Sequence, residues 1–247
     1  MTAMKNLEML HASIRMAVGT YAAELAGALG SRVKAISVYG SATGPDYIPK
    51  KSNINIVAVL ERLDAEALEA ILGIVKSGMK KGIVPPLLVT PEYIRSALDV
   101  FPIEFLEIRD TQVVLLGEDH FSDLAVSQDR LRLECESQLR ASVLRARQAY
   151  LEIGLAKRGA ERVLHASITS LIPVFKAVLR LRQAAVPRSK VEVAGALGRA
   201  LGIGVDVFVA VLRDRSGDER IEGRDACRVL AEYVDALEAL TGQLEGM

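Results

Sequence analysis

Residues 39–57 read Tyr39-Gly40-Ser41-Ala42-Thr43-Gly44-Pro45-Asp46-Tyr47-Ile48-Pro49-Lys50-Lys51-Ser52-Asn53-Ile54-Asn55-Ile56-Val57, and this stretch decides the fold. An alternating apolar run, Val33–Tyr39, enters it and predicts a strand. Gly40-Ser41 ends that run with the residue types of a tight turn. A polar loop with two prolines follows, and Asn53–Leu60 opens a second strand. Asn53 and Asn55 stand two apart, so the pleat puts both amides on one face while Ile54 and Ile56 take the other.

Working outward, Leu7–Leu29 has apolar residues at helical spacing and stops at Gly30, which suits a helix terminus. Asp64 is placed to cap a helix over Ala65–Lys80, closed by Gly82. Val84–Thr90 reads as a strand, and Thr90-Pro91-Glu92 opens a short helix with proline at its first position. Pro102–Ile108 and Gln112–Leu116 read as two further extended segments. Strands alternating with helices predict a small mixed sheet. After about residue 128 the period becomes helical: Arg130–Lys157, Glu161–Gln183, Lys190–Leu201, Val205–Arg213 and Arg224–Leu244 predict an up-and-down bundle. The expected fold class is α+β, a mixed α/β domain over residues 1–119 followed by a helical bundle over 120–247.

Composition narrows the class. Half of the 247 residues are hydrophobic, which supports one large core or two modest ones. Cys135 and Cys227 are far apart and offer neither a disulfide framework nor zinc spacing. His11, His120 and His165 are equally scattered. The most apolar stretch, Val163–Leu181, is interrupted by His165, Pro173 and Lys176 and reads as a buried helix, not a membrane span. With no signal peptide recognisable, a cytoplasmic protein with no membrane association is expected. The net charge is zero, yet residues 129–190 are strongly basic and both flanks acidic. Such a segment serves an anionic ligand or pairs with acidic neighbours. Only 4% of residues are aromatic and tryptophan is absent, so the basic segment lacks the stacking platforms of a nucleic-acid binder.

The order strand, Gly40-Ser41, loop, Lys50-Lys51-Ser52, then Asn53-Ile54-Asn55-Ile56-Val57 resembles the signature of the nucleotidyltransferase superfamily, the polymerase-beta-like and aminoglycoside-nucleotidyltransferase group. The specific match covers roughly residues 33–60, with looser agreement to residue 119 and in the helical half. In that family the Gly-Ser turn approaches a nucleoside triphosphate, and the second strand carries Asp-x-Asp, whose carboxylates hold magnesium. The resemblance thus implies nucleotide-binding roles for Gly40, Ser41, Lys50, Lys51 and Ser52, and metal positions at Asn53 and Asn55. It also implies a third carboxylate on a neighbouring strand, which favours Glu104 as the catalytic acid, with Glu107 as fallback. Lys50-Lys51 also fits a solvated loop pair, and Glu104 an ordinary exposed residue.

Both metal positions hold amides. Asparagine preserves the shape of aspartate but not its charge, and a neutral oxygen is the weaker magnesium ligand. The expectation is therefore a nucleotidyltransferase-fold protein, catalytically inactive or impaired, with a ligand- or partner-binding role. Magnesium and a nucleoside triphosphate would be the cofactors of an active member; here neither is expected to bind tightly. One alternative is an active metal-dependent enzyme that transfers a nucleoside monophosphate to a small molecule or protein, using a relocated carboxylate such as Asp46. Another is an interaction module that forms a homodimer through its helical domain. A nucleotide or other small molecule is the expected ligand class, and nucleic acid is not an expected partner.

Overall fold

The computed structural model describes residues 4–156, 159–221 and 226–245. The chain divides into two compact units, Met1–Ala125 and Val126–Met247. The division falls between the boundary expected at residue 119 and the onset of the helical period at about residue 128.

In the first unit, helix α1 (Arg15–Leu29) leads into strand β1 (Val33–Tyr39), a 3-10 turn (Gly40–Thr43) and strand β2 (Asn55–Leu60). Helix α2 (Ala65–Met79), strand β3 (Leu87–Val89), helices α3 (Pro91–Ala97) and α4 (Pro102–Thr111), and strand β4 (Val113–Gly117) follow. The sheet order is β3-β2-β1-β4, with β1 antiparallel to both β2 and β4, and β2 parallel to β3. The caps expected from sequence are in place: Asp64 accepts from Ala67 N at 2.9 Å, and Thr90 Oγ1 from Tyr93 N at 3.1 Å. The helix expected over Leu7–Leu29 is interrupted. Leu7–Met9 forms a separate 3-10 turn, and Ser13 N donates to His11 Nδ1 before α1 begins. That side-chain bond offers the backbone a turn in place of a continuing helix.

The two faces of the sheet are covered differently. Ile36, Val38, Ile54, Ile56, Ala58 and Leu60 pack with α1 and α2 in one apolar cluster. Gly78 lets those helices close up, because a Cβ there would lie 2.4 Å from Tyr21 Cε2. The opposite face presents Ala35, Val57, Val59 and Val89 to Ile94 and Ala97 of α3, Phe105 and Ile108 of α4, and Phe121. The outer border of β4 is strapped by the chain's beginning. Lys5 N donates to Leu115 O at 2.9 Å, Lys5 Nζ to Gly117 O at 2.6 Å, and Asn6 Nδ2 to Val114 O at 2.9 Å.

One expectation fails. Pro102–Ile108 is not extended; it lies in α4. The alternation Ile103-Glu104-Phe105 lasts three residues and breaks at Leu106. Burial instead follows i, i+3 pairs, Ile103 with Leu106 and Phe105 with Ile108, and Pro102 at the first helical turn presets the backbone.

The second unit holds α5 (Gln128–Ala156), α6 (Ala160–Leu181), α7 (Lys190–Leu201), α8 (Asp206–Ser216) and α9 (Ala226–Glu245), with no strand among its described residues. Arg224, expected to begin the last helix, lies outside the described residues. Helix α6 is long and apolar enough to cross a membrane, but it packs against α5, α7, α8 and α9. Phe208 lies 5.2 Å from Phe175 with the two rings tilted and meets Tyr233 edge-on at 5.2 Å, and the Tyr233 hydroxyl donates to Ser167 Oγ. His165 Nε2 pairs with Asp214 Oδ2 at 2.6 Å, tying α6 to α8.

Candidate functional site

The turn singled out in the sequence lies where β1 gives way to β2. Tyr39 ends β1 and stands in register with Asn55, the first residue of β2. Gly40 takes φ +78°, a left-handed value open to glycine at no steric cost, and a Cβ there would come within 3.0 Å of Asn55 Nδ2. Glycine thus serves both the turn and the asparagine beside it.

The turn is held from α4. Gly40 N donates to Thr111 Oγ1 at 2.8 Å, and Thr111 Oγ1 in turn donates to Glu107 O. Thr43 Oγ1 lies 2.8 Å from Gly40 O and 2.6 Å from Thr111 O. Gly44 N donates back to Ser41 O at 3.2 Å, and Ala42 is buried. Ser41 is half-buried within this turn.

Ser52 plays a structural part. It is buried; its Oγ accepts from Ile48 N at 3.0 Å and its own N–H donates to Ile48 O at 2.8 Å. This ring closes the loop ahead of β2 through the acceptor side of the hydroxyl. Lys50, at φ +67°, and Lys51 are both exposed on the loop. Asn53 is exposed just before β2, and Asn55 is half-buried. The buried Ile54 between them pairs with Ile83 in a parallel bridge, which orients this end of the strand.

Glu104 is not on a neighbouring strand. It is exposed on α4, and with Glu107 one turn later it flanks Tyr39. Burial raises the Tyr39 phenol above its ordinary pKa, and the Glu104 and Glu107 carboxylates push it further up. Tyr39 and Thr111 escape a reading from sequence. Thr111 lies 71 positions from the turn it holds. The acid pair of α4 shows only once the helical period of residues 102–111 replaces the three-residue alternation.

The donor set does not fit a two-magnesium centre. The pair positions hold amides, and the four strands read VKAISVY, NIVAVL, LLV and VVLLG, with no carboxylate on any of them. The strand beside β2 on its other side, β3, is wholly apolar. No cluster of three or more His, Cys, Asp or Glu side chains suited to a metal occurs among the described residues. Cys135 is buried, and burial pushes its thiol up to about 12, which opposes the thiolate a metal needs.

No protein-family model matches the chain, and no curated protein matches it in sequence. In structure it is similar to spectinomycin adenyltransferase AAD(9) from Enterococcus faecialis, solved with ATP and spectinomycin. The TM-score is 0.60, the match covers 92% of this chain and 97% of that one, and identity is 10%. At that identity the likeness speaks to architecture alone. The chain has an α+β fold of the nucleotidyltransferase kind, a small mixed sheet flanked by helices and followed by a helical region.

Proposed function

We propose that this chain is a nucleotidyltransferase-fold protein that does not carry out metal-dependent transfer and instead binds a ligand or a partner. The observation that carries the reading is the absence of any carboxylate from the four strands, with amides at both pair positions. Magnesium gives up tightly held water to a site chiefly in return for charge, and neutral amides return much less of it. One engaged group agrees with this: the Gly40 amide is bonded to Thr111. Glu104 and Glu107 act on Tyr39 from a helix, so these two acids do not restore a strand-borne pair. A nucleotide or another small polar molecule remains the ligand class the fold suggests, and a cytoplasmic location is part of the proposal.

The test compares the chain with its Asn53→Asp/Asn55→Asp variant, following pyrophosphate release with each nucleoside triphosphate and magnesium or manganese. Each missing first-shell charge is expected to lower the rate by about a hundredfold or more. The unmodified chain should therefore show no turnover, and calorimetry should show no magnesium-dependent gain in nucleotide affinity. Turnover by the unmodified chain equal to that of the variant would establish the active reading in its place.

A further inference from the structure

The exposed face of α2 has no assigned role. Its buried side, Ala67, Ile71 and Gly78, packs toward α1. A second apolar line runs along the same helix: Leu68, Leu72, Val75 and Met79, spaced i, i+4, i+7 and i+11. Leu68 is 48%, Leu72 64% and Met79 59% exposed, while Val75 is half-buried against the core. Single exposed leucines are ordinary; a continuous line over the whole helix is not.

The charges beside the line select an occupant. Glu69 and Lys76 are exposed and each directly follows an apolar member, Leu68 and Val75. In heptad terms Ala65, Leu72 and Met79 take one seam position, Leu68 and Val75 the other, and Glu69 and Lys76 the flank. Two such helices paired antiparallel about a two-fold axis at Leu72 bring each Leu72 against its own copy and Ala65 against Met79. The same axis sets Glu69 level with the second copy's Val75, one residue from its Lys76 on the same flank, so the two charges meet, twice. A parallel pair would instead put the two Glu69 on opposite sides of the seam and set each against the second copy's Asp64, which repels it. The helix complements itself in one orientation only, as an isologous contact requires.

We infer that α2 is the self-association surface of this protein, forming an antiparallel two-fold helix pair with a second copy of the chain. Helix α5 is the weaker candidate. Its exposed Leu133, Leu144 and Leu151 are separated along the seam by Ser137, Arg140 and Gln148. Fifteen residues make a helix of about 22 Å, so the contact is small and the dimer is of the micromolar kind, Kd roughly 1–100 μM.

Sedimentation equilibrium across that concentration range tests the inference. The chain should dimerise, and Leu72→Glu should raise Kd at least about tenfold while the circular dichroism and melting temperature of an exposed-site variant stay unchanged. Glu69→Lys or Lys76→Glu alone should weaken the dimer, and the two together should restore it. Leu72→Cys in a Cys227→Ser background should give a disulfide-linked dimer on mild oxidation. A chain that stays monomeric throughout overturns the inference. So does a dimer indifferent to Leu72→Glu but dispersed by Leu144→Glu, which would move the interface to α5. Failure of the charge swap to restore association overturns the antiparallel register.

Discussion

At the scale of single residues, two side chains define the candidate site. Asn55 keeps the outline of an acid without its charge, and Tyr39 across from it keeps its proton. The carboxylates of Glu104 and Glu107 oppose a phenolate at Tyr39, so removing them should let it ionise earlier. Glu104→Gln combined with Glu107→Gln is expected to shift the Tyr39 transition to lower pH. Ring-labelled tyrosine NMR over an alkaline titration reads it directly. An unmoved transition would mean that burial alone sets the value. The asparagines stand out in the sequence because residue chemistry is local, but β2 begins at Asn55 and leaves Asn53 just before the strand expected to start with it. The loop closure by Ser52 is not legible, because no spacing rule reveals the Ile48 amide that donates to its hydroxyl.

Among elements, β1 and α7 have the bounds that alternation and helical period predict, and the capped starts of α2 and α3 follow the Asp64 and Thr90 signals. Helix α4 departed from expectation because three alternating residues cannot separate a strand from one turn of helix; the tie is broken by Leu106 and Pro102. The departure matters because the end of α4 holds the Gly40 turn. Thr111→Val keeps the shape of the side chain and removes both of its hydrogen bonds, leaving the Gly40 amide without its partner. The expected loss is about 1–3 kcal/mol of stability, seen as a lower urea midpoint. No change would mean that water takes over the amide at no net cost.

Across the whole molecule, the change of period at about residue 128 was the readable feature, since helical and pleated burial leave different spacings in the chain. The pairing of elements was not readable, because the neighbours of α6 are chosen by packing between side chains distant in sequence. A global property follows from the tyrosines. Burial raises Tyr21, Tyr39, Tyr47 and Tyr233 above the ordinary value, so their folded pKa exceeds the unfolded one. Below the unfolded value of about 10 both states hold the proton and the contribution is fully present. As pH climbs through the folded values the unfolded chain sheds protons first, and stability falls. Urea midpoints should hold level from about pH 7 to 9 and drop by about pH 11. A level midpoint at the alkaline end would rule out this linkage.

The strap that Lys5 and Asn6 lay along β4 bears on how the protein endures crowding. A bare strand border invites a neighbour's border, the first step toward clumping or fibril growth. On one side the carbonyls of Val114, Leu115 and Gly117 are already occupied by the chain's own beginning. On the other, β3 offers only three residues for a stranger to zip onto. The sheet thus offers a neighbouring copy a strapped border on one side and a three-residue border on the other, and both lower its tendency to join edge to edge.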